Sequence, residues 1–274
     1  MDNMFTIQTN NGNEVGKGLS GFWLKMIAVI TMLIDHSAAT IMERYMMANG
    51  LGFYGGMGFD RWQIAYLIFR GIGRMAFPIY CFLLVEGFTY TKSRSGYAVR
   101  LGIFALISEI PFDLAFQRSF FDMSYNNVFF TLFIGLLTIM MLDWIRNRPY
   151  FTDRCKSGAS WFFATLLRCI AMTAVIMVML AAAEIALHTD YGASGVAAIV
   201  LIYLLRKHPQ TGFAASVILL GLWSSILEFL AILMMVPIHF YNGTRGKQMK
   251  YFFYAFYPVH LLILVGICAL LGLN

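Results

Sequence analysis

Apolar residues run through this chain in blocks of about twenty divided by short polar breaks, the length a helix needs to cross the hydrocarbon of a bilayer. The first block, Phe22 to Glu43, predicts a membrane helix that carries Asp35 and His36 side by side. An ionisable pair at membrane depth is costly and points to a functional site by default. At helical spacing Lys25, Met32, His36 and Glu43 share one face and Asp35 projects about 100° away, so the polar stripe meets other helices rather than lipid. The second block, Trp62 to Tyr90, is too long for one straight crossing and contains RGIGRMAFP, Arg70 to Pro78. Two glycines and a proline predict a broken helix there, tolerable at depth only where the backbone is buried in protein or lines a cavity. Arg70 and Arg74, four apart, face the same way.

Further helices are predicted over Gly96 to Phe116, Asn127 to Ile145, Trp161 to Leu187, Gly192 to Leu205 and Tyr251 to Leu273. Gly212 to Phe240 is long for one span and short for two, so a tilted helix and a re-entrant hairpin both fit. The basic loop that follows, YNGTRGKQMK at 241 to 250, favours the hairpin, with two short crossings as the consequence. The pattern is that of an all-α polytopic membrane protein, a bundle of about eight to ten transmembrane helices. A polar tail at 1 to 18 without the features of a cleaved signal precedes a single transmembrane domain at 19 to 274.

Composition agrees: 59% of residues are apolar and 12% charged, against about 25% charged in soluble domains. The mean hydropathy is +0.70. Cys81, Cys155, Cys169 and Cys268 show no metal-ligand spacing, so neither zinc nor a disulfide framework is expected. A net charge of +6 fits the basic loops of a membrane protein better than a nucleic-acid partner. With the amino terminus in the cytoplasm, nine basic residues fall in the loops at 91–100, 146–156 and 206–207, against Arg44, Arg61 and Arg118 on the other side. That asymmetry sets the expected orientation in a cytoplasmic membrane.

In this orientation five segments bring polar groups to one level: His36; Arg70 and Arg74; Glu109 and Asp113, which flank Pro111 in SEIPFD; Asn126 and Asn127; and Asp190 in HTDYG. Convergence would make a polar cavity in the outer leaflet, where a histidine can act as base or nucleophile and arginines can stabilise developing negative charge. The opposing structural reading pairs Arg70 and Arg74 with Glu109 and Asp113 and leaves Asp190 as a helix cap. Glu86, Glu184 and Glu228 are scattered acids in apolar runs, and a relay through His36, Asp35 and Glu86 makes a proton-coupled transporter the alternative function. A scaffold without chemistry gives no reason for so many buried charges. No metal constellation, phosphate-binding glycine loop or Gly-x-Ser-x-Gly elbow is present in the sequence.

Taken together, LKMIAVITMLIDHSA, RGIGRMAFPIYCFLLVEGF, ALISEIPFDLAF, NVFFTLFIGLL, DYGASGV, YNGTRG and YPVHLLIL resemble the TraX family, over about residues 19 to 270. That family looks related to the wider group of integral-membrane acyltransferases. The resemblance implies acetyl transfer from cytoplasmic acetyl-CoA to an amine or hydroxyl acceptor within or across the membrane. It places the catalytic histidine of the wider group at His36 of LIDH. On that reading Asp35 or Glu109 orients the imidazole, Arg70 or Arg74 stabilises the oxyanion, and Asp113 completes the catalytic set. Asn126, Asn127, Asp190 and His260 are the candidates for holding the acceptor. Arg146, Arg148, Arg245, Lys247 and Lys250 are the candidates for the phosphates of acetyl-CoA. No metal is implied.

Overall fold

The computed structural model describes residues 18–51, 60–148 and 158–273, and its regular structure is helical throughout, without a strand among the described residues. The tail up to residue 17, most of the glycine-rich stretch Gly50 to Gly58, and Arg154, Cys155 and Lys156 lie outside that range. The chain begins with α1 (Gly21–Ser37), which passes through a π-helical turn (Ala38–Met42) into α2 (Glu43–Ala48). It continues with α3 (Arg61–Gly73), α4 (Ala76–Tyr90), α5 (Arg94–Phe112) ending in a π-turn (Asp113–Gln117), and α6 (Val128–Arg146). Then follow α7 (Gly158–Ala181) with its own π-turn (Ala182–Ala186), α8 (Gly192–Leu204) and α9 (Pro209–Trp223). A 3-10 segment (Ile226–Met234) leads into α10 (Met235–His239), and α11 (Lys250–Leu270) closes the bundle.

Among the described residues five stretches are long and apolar enough to cross a membrane: Gly21–Ala48, Arg61–Tyr90, Val128–Arg146, Trp161–Ala186 and Tyr251–Leu270. Gly192–Leu204, Pro209–Trp223 and Ile226–His239 are shorter apolar helices. All five tryptophans of the chain are exposed, and each lies within three residues of a helix end. An amphipathic indole favours the membrane–water boundary, so these positions mark a lipid-facing surface rather than a misplaced core. The protein is a multi-pass membrane protein.

Local chemistry explains the breaks. Asp60 and Gln63 form a reciprocal capping box at the start of α3, and the Asn127 and Ser93 side chains accept backbone N–H groups to start α6 and α5. Between α3 and α4 the Met75 N–H donates to Ile72 rather than one residue further back, and Pro78 has no N–H to give, so the predicted break occurs at Arg74–Met75. The segment after α8 turns back on itself at Ser224–Ser225. Gln210, at the start of α9, meets His239, at the end of α10, at 2.8 Å, so this is the re-entrant hairpin and not a single tilted span. Gly221 lets the Phe229 ring lie against α9, where a Cβ would approach it to 2.6 Å.

Contacts between helix ends define two faces of the bundle. On one, Leu19 exchanges backbone bonds with Phe240 and Asn242, Arg245 donates to the Tyr90 carbonyl at 2.9 Å, and Arg94 pairs with Asp143 at 2.7 Å. Tyr203, near the end of α8, donates to the same Asp143. The loop at 241–249 therefore shares a face with the start of α1, with Lys92 and Arg94, with Arg146 and Arg148, and with Arg206 and Lys207. On the opposite face the buried Arg44 donates to the carbonyls of Leu114 (3.0 Å), Ala115 (2.8 Å) and Leu273 (3.4 Å), tying together the ends of α2, α5 and α11.

Candidate active site

The α3–α4 break, the end of α1, the turn before α8 and the tip of the hairpin meet towards the Arg44 face. Arg70 Nη1 lies 2.8 Å from Asp35 Oδ2, and Arg74 Nη2 lies 3.5 Å from the same oxygen. Arg74 Nη1 reaches Glu228 Oε1 at 3.3 Å and donates to the Tyr191 hydroxyl at 3.5 Å. Glu228 is fully buried, so in a medium of low dielectric it depends on that guanidinium. The arginines thus pair with Asp35 and Glu228, and not with Glu109 and Asp113 as the structural reading of the sequence has it. Gly73 makes the arrangement possible: a Cβ there would overlap the Asp35 carboxylate. Gly73→Ala is accordingly expected to lower stability by about 1–3 kcal/mol through overpacking. Thermal unfolding in detergent measures this, and a wild-type melting temperature would show that α1 and α3 can separate freely.

Asp35, Arg70, Arg74 and Tyr191, but not Glu228, border a cavity of about 250 Å³, whose lining also includes His36, Glu43 and Asp190, with the rings of Phe77, Phe116 and Tyr257 among its walls. His36 Nδ1 lies 2.7 Å from His260 Nε2, and His260 Nδ1 lies 2.7 Å from the Phe256 carbonyl. Phe116 and Tyr257 make T-shaped ring contacts with His36 at centroid distances of 5.2 and 5.8 Å. Two of the lining carboxylates form no ion pair among the described residues: Glu43 accepts from the Tyr66 hydroxyl at 2.7 Å, and Asp190 accepts from Tyr125. Burial raises the Asp190 carboxyl above its usual range, against the opposing effects of the Tyr125 hydrogen bond and of Arg74 and Arg70.

The remaining candidates do other work. Glu109 accepts from the side chain and backbone of Asn127, which also donates to Ala105 O at 2.8 Å. Asp113 accepts from the Asp122 N–H at 2.8 Å, and Asn126 bonds the Leu187 carbonyl. These four fix the chain around the α5–α6 turn and do not line the cavity. Neither Asp35 nor Glu109 contacts the His36 ring, so neither orients it. Asp190 does not cap α8, whose first turn is closed instead by Glu184 accepting from the Ala193 N–H at 2.9 Å. His260 stands behind His36, outside the cavity wall. Glu86 accepts from Tyr241 on the far face, away from Asp35 and His36. Of the basic candidates, Arg146 and Lys247 are exposed, Arg148 lies over the Trp144 ring and Arg245 is held by Tyr90, all on the face opposite the cavity. The Lys250 side chain lies outside the described residues.

Sequence reasoning leaves Tyr66, Tyr125, Tyr191 and Arg44 without a role and counts Glu228 only as a scattered acid. The available signals are slight: Glu43 stands two turns after His36, and Tyr191 directly follows Asp190.

Fold and site together define a multi-pass helical membrane protein with a charged, histidine-bearing cavity near one end of its bundle. The chain belongs to the TraX protein family, whose model matches residues 20–268 and so takes in every residue of the cavity. It is 29% identical over 257 residues to the probable fimbrial assembly protein FimC, serogroup H1, of Dichelobacter nodosus, covering 89% of this chain and 94% of that one. No solved structure matches the chain.

Proposed function

We propose that the protein is an integral-membrane acyltransferase that moves an acetyl group from acetyl-CoA to an amine or hydroxyl acceptor, with His36 as the reacting base or nucleophile. The supporting observation is the placement of the His36 imidazole on the wall of a small cavity beside two guanidinium groups. His36 takes the proton from the acceptor as its nitrogen or oxygen attacks the thioester carbonyl. The tetrahedral oxyanion collects N–H donors that Arg70 or Arg74 has left over from Asp35 and Glu228. The C–S bond then breaks, and the departing CoA sulfur receives the proton from His36. In the covalent variant His36 attacks first and carries the acetyl group to the acceptor.

A volume of about 250 Å³ falls below the roughly 300–1,000 Å³ of pockets that hold whole drug-sized ligands, so only the thioester end of CoA fits. The nucleotide end belongs on the basic face, taken as cytoplasmic, with the pantetheine arm reaching between helices. Neutralising Arg146 with Arg148, or Lys247 with Lys250, is expected to raise the KM for acetyl-CoA more than it lowers kcat. An unchanged KM in every such pair would remove the phosphate rim from the account. The name of the FimC relative makes the amino terminus of a fimbrial subunit the first acceptor to try.

The test is radiolabelled acetyl transfer by purified protein to a fimbrial-subunit amino-terminal peptide and to a panel of small amines and alcohols. Label appearing in an acceptor supports the reading. Amine uptake into proteoliposomes without CoA release would replace it with transport.

A further inference from the structure

Among the described residues no carboxylate is hydrogen-bonded to His36: Asp35 is engaged by Arg70 and Arg74, Glu109 by Asn127, Glu43 by Tyr66 and Asp190 by Tyr125. The partner of its ring is another imidazole. His36 and His260 lie within 9° of coplanar with centroids 5.0 Å apart, and their facing nitrogens are 2.7 Å apart. Coplanar rings whose centroids are separated by the N···N distance plus about two ring radii lie edge to edge, so the contact is an in-plane hydrogen bond and not a face-to-face stack.

The direction of that bond follows from its far end. The Phe256 carbonyl can only accept, so His260 Nδ1 carries the proton of that 2.7 Å bond. A neutral imidazole has one N–H, which leaves His260 Nε2 as an acceptor. The proton between the rings therefore sits on His36 Nδ1, and the lone pair of His36 is on Nε2. We propose that His260 is a positioning residue that fixes the tautomer and orientation of His36, so that Nε2 of His36 is the nitrogen offered to the substrate. The inference rests on His36 being the reacting group proposed above, and it assigns to a neutral histidine the role that a carboxylate fills in a serine-protease triad. Phe256 and His260 are one helical turn apart on α11, so the chain of bonds is anchored to a single helix facing the end of α1.

The test compares wild-type protein with His260→Gln, whose amide oxygen can still accept from His36, and with His260→Leu, which fills the space without accepting. Nitrogen-15 NMR of histidine-labelled protein, with the His36 signals assigned by their loss in His36→Ala, reads the tautomer directly. Wild type and His260→Gln are expected to show the Nδ1–H form at His36, and His260→Leu a mixture of both forms. Single-turnover acetyl transfer is expected to fall by about 10²-fold or more in His260→Leu, with an unchanged KM for acetyl-CoA, and to recover most of that loss in His260→Gln. An Nε2–H form at His36 in the wild type, or an unchanged tautomer in folded His260→Leu, overturns the proposal. If the tautomers behave as expected but wild-type protein transfers no acetyl group, the positioning role stands and the acetyltransferase reading falls.

Discussion

His36→Ala is expected to lower single-turnover acetyl transfer by about 10²- to 10⁴-fold, the usual contribution of a general base or nucleophile. The variant should still be recovered folded and membrane-inserted. Its ring is only partly buried and meets Phe116 and Tyr257 in T-shaped contacts, so truncation costs modest packing. The ion pairs of Asp35 with Arg70 and Arg74 do not pass through the imidazole and should survive. Transfer within about threefold of wild type at equal expression would remove His36 from the centre of the mechanism.

Arg74 is expected to give the largest effect on stability. Its guanidinium spans Asp35, Glu228 and Tyr191, and Arg74→Ala would leave a fully buried Glu228 carboxylate without a cation. Removing one partner from a buried pair costs about 3–5 kcal/mol, enough to prevent insertion or to lower the melting temperature by many degrees. Adding Glu228→Gln removes the orphaned charge, so the double variant should be more stable than Arg74→Ala alone; additive losses would show that the two groups are not coupled. Arg74→Lys keeps the charge but replaces a planar fork with a point donor that cannot serve both carboxylates at once. It should fold with a lower melting temperature and turn over markedly more slowly. Normal turnover in a folded Arg74→Lys would confine Arg74 to holding the hairpin in place.

Helix positions are legible in the sequence because each apolar block must span a fixed thickness, and the observed ends fall within a few residues of those expected. The α3–α4 break is legible for a similar reason, since Gly71 and Gly73 weaken the end of α3 and Pro78 offers no N–H to the turn before it. The hairpin is half legible: segment length leaves two readings, and the charge of the following loop selects the one observed. The partners of the polar groups are not legible. Glu228 is 154 residues from Arg74, and His260 is 224 residues from His36, so local spacing carries no information about either contact. Glu109 and Asp113 are the nearer acids in the chain and look like the natural partners, but Asn127 and the Asp122 backbone occupy them. The π-turns at Ala38–Met42, Asp113–Gln117 and Ala182–Ala186 are likewise invisible, because an inserted residue widens a helical turn without changing its apolar composition.

The hairpin of α9 and α10 also settles a question of parity. A segment that enters the bundle and returns to the face it left contributes no net passage, so the face on which the chain ends is set by the other traverses alone. Gly21 begins on the face that carries the basic loops, whereas Leu273 ends beside Arg44 on the face of the cavity. The two ends of the bundle therefore emerge into different compartments. A reporter fused after the last helix samples the compartment nearest the cavity, and one inserted at 243–246 samples the compartment that faces the start of α1; counting 212–240 as one complete passage would assign both to the wrong side.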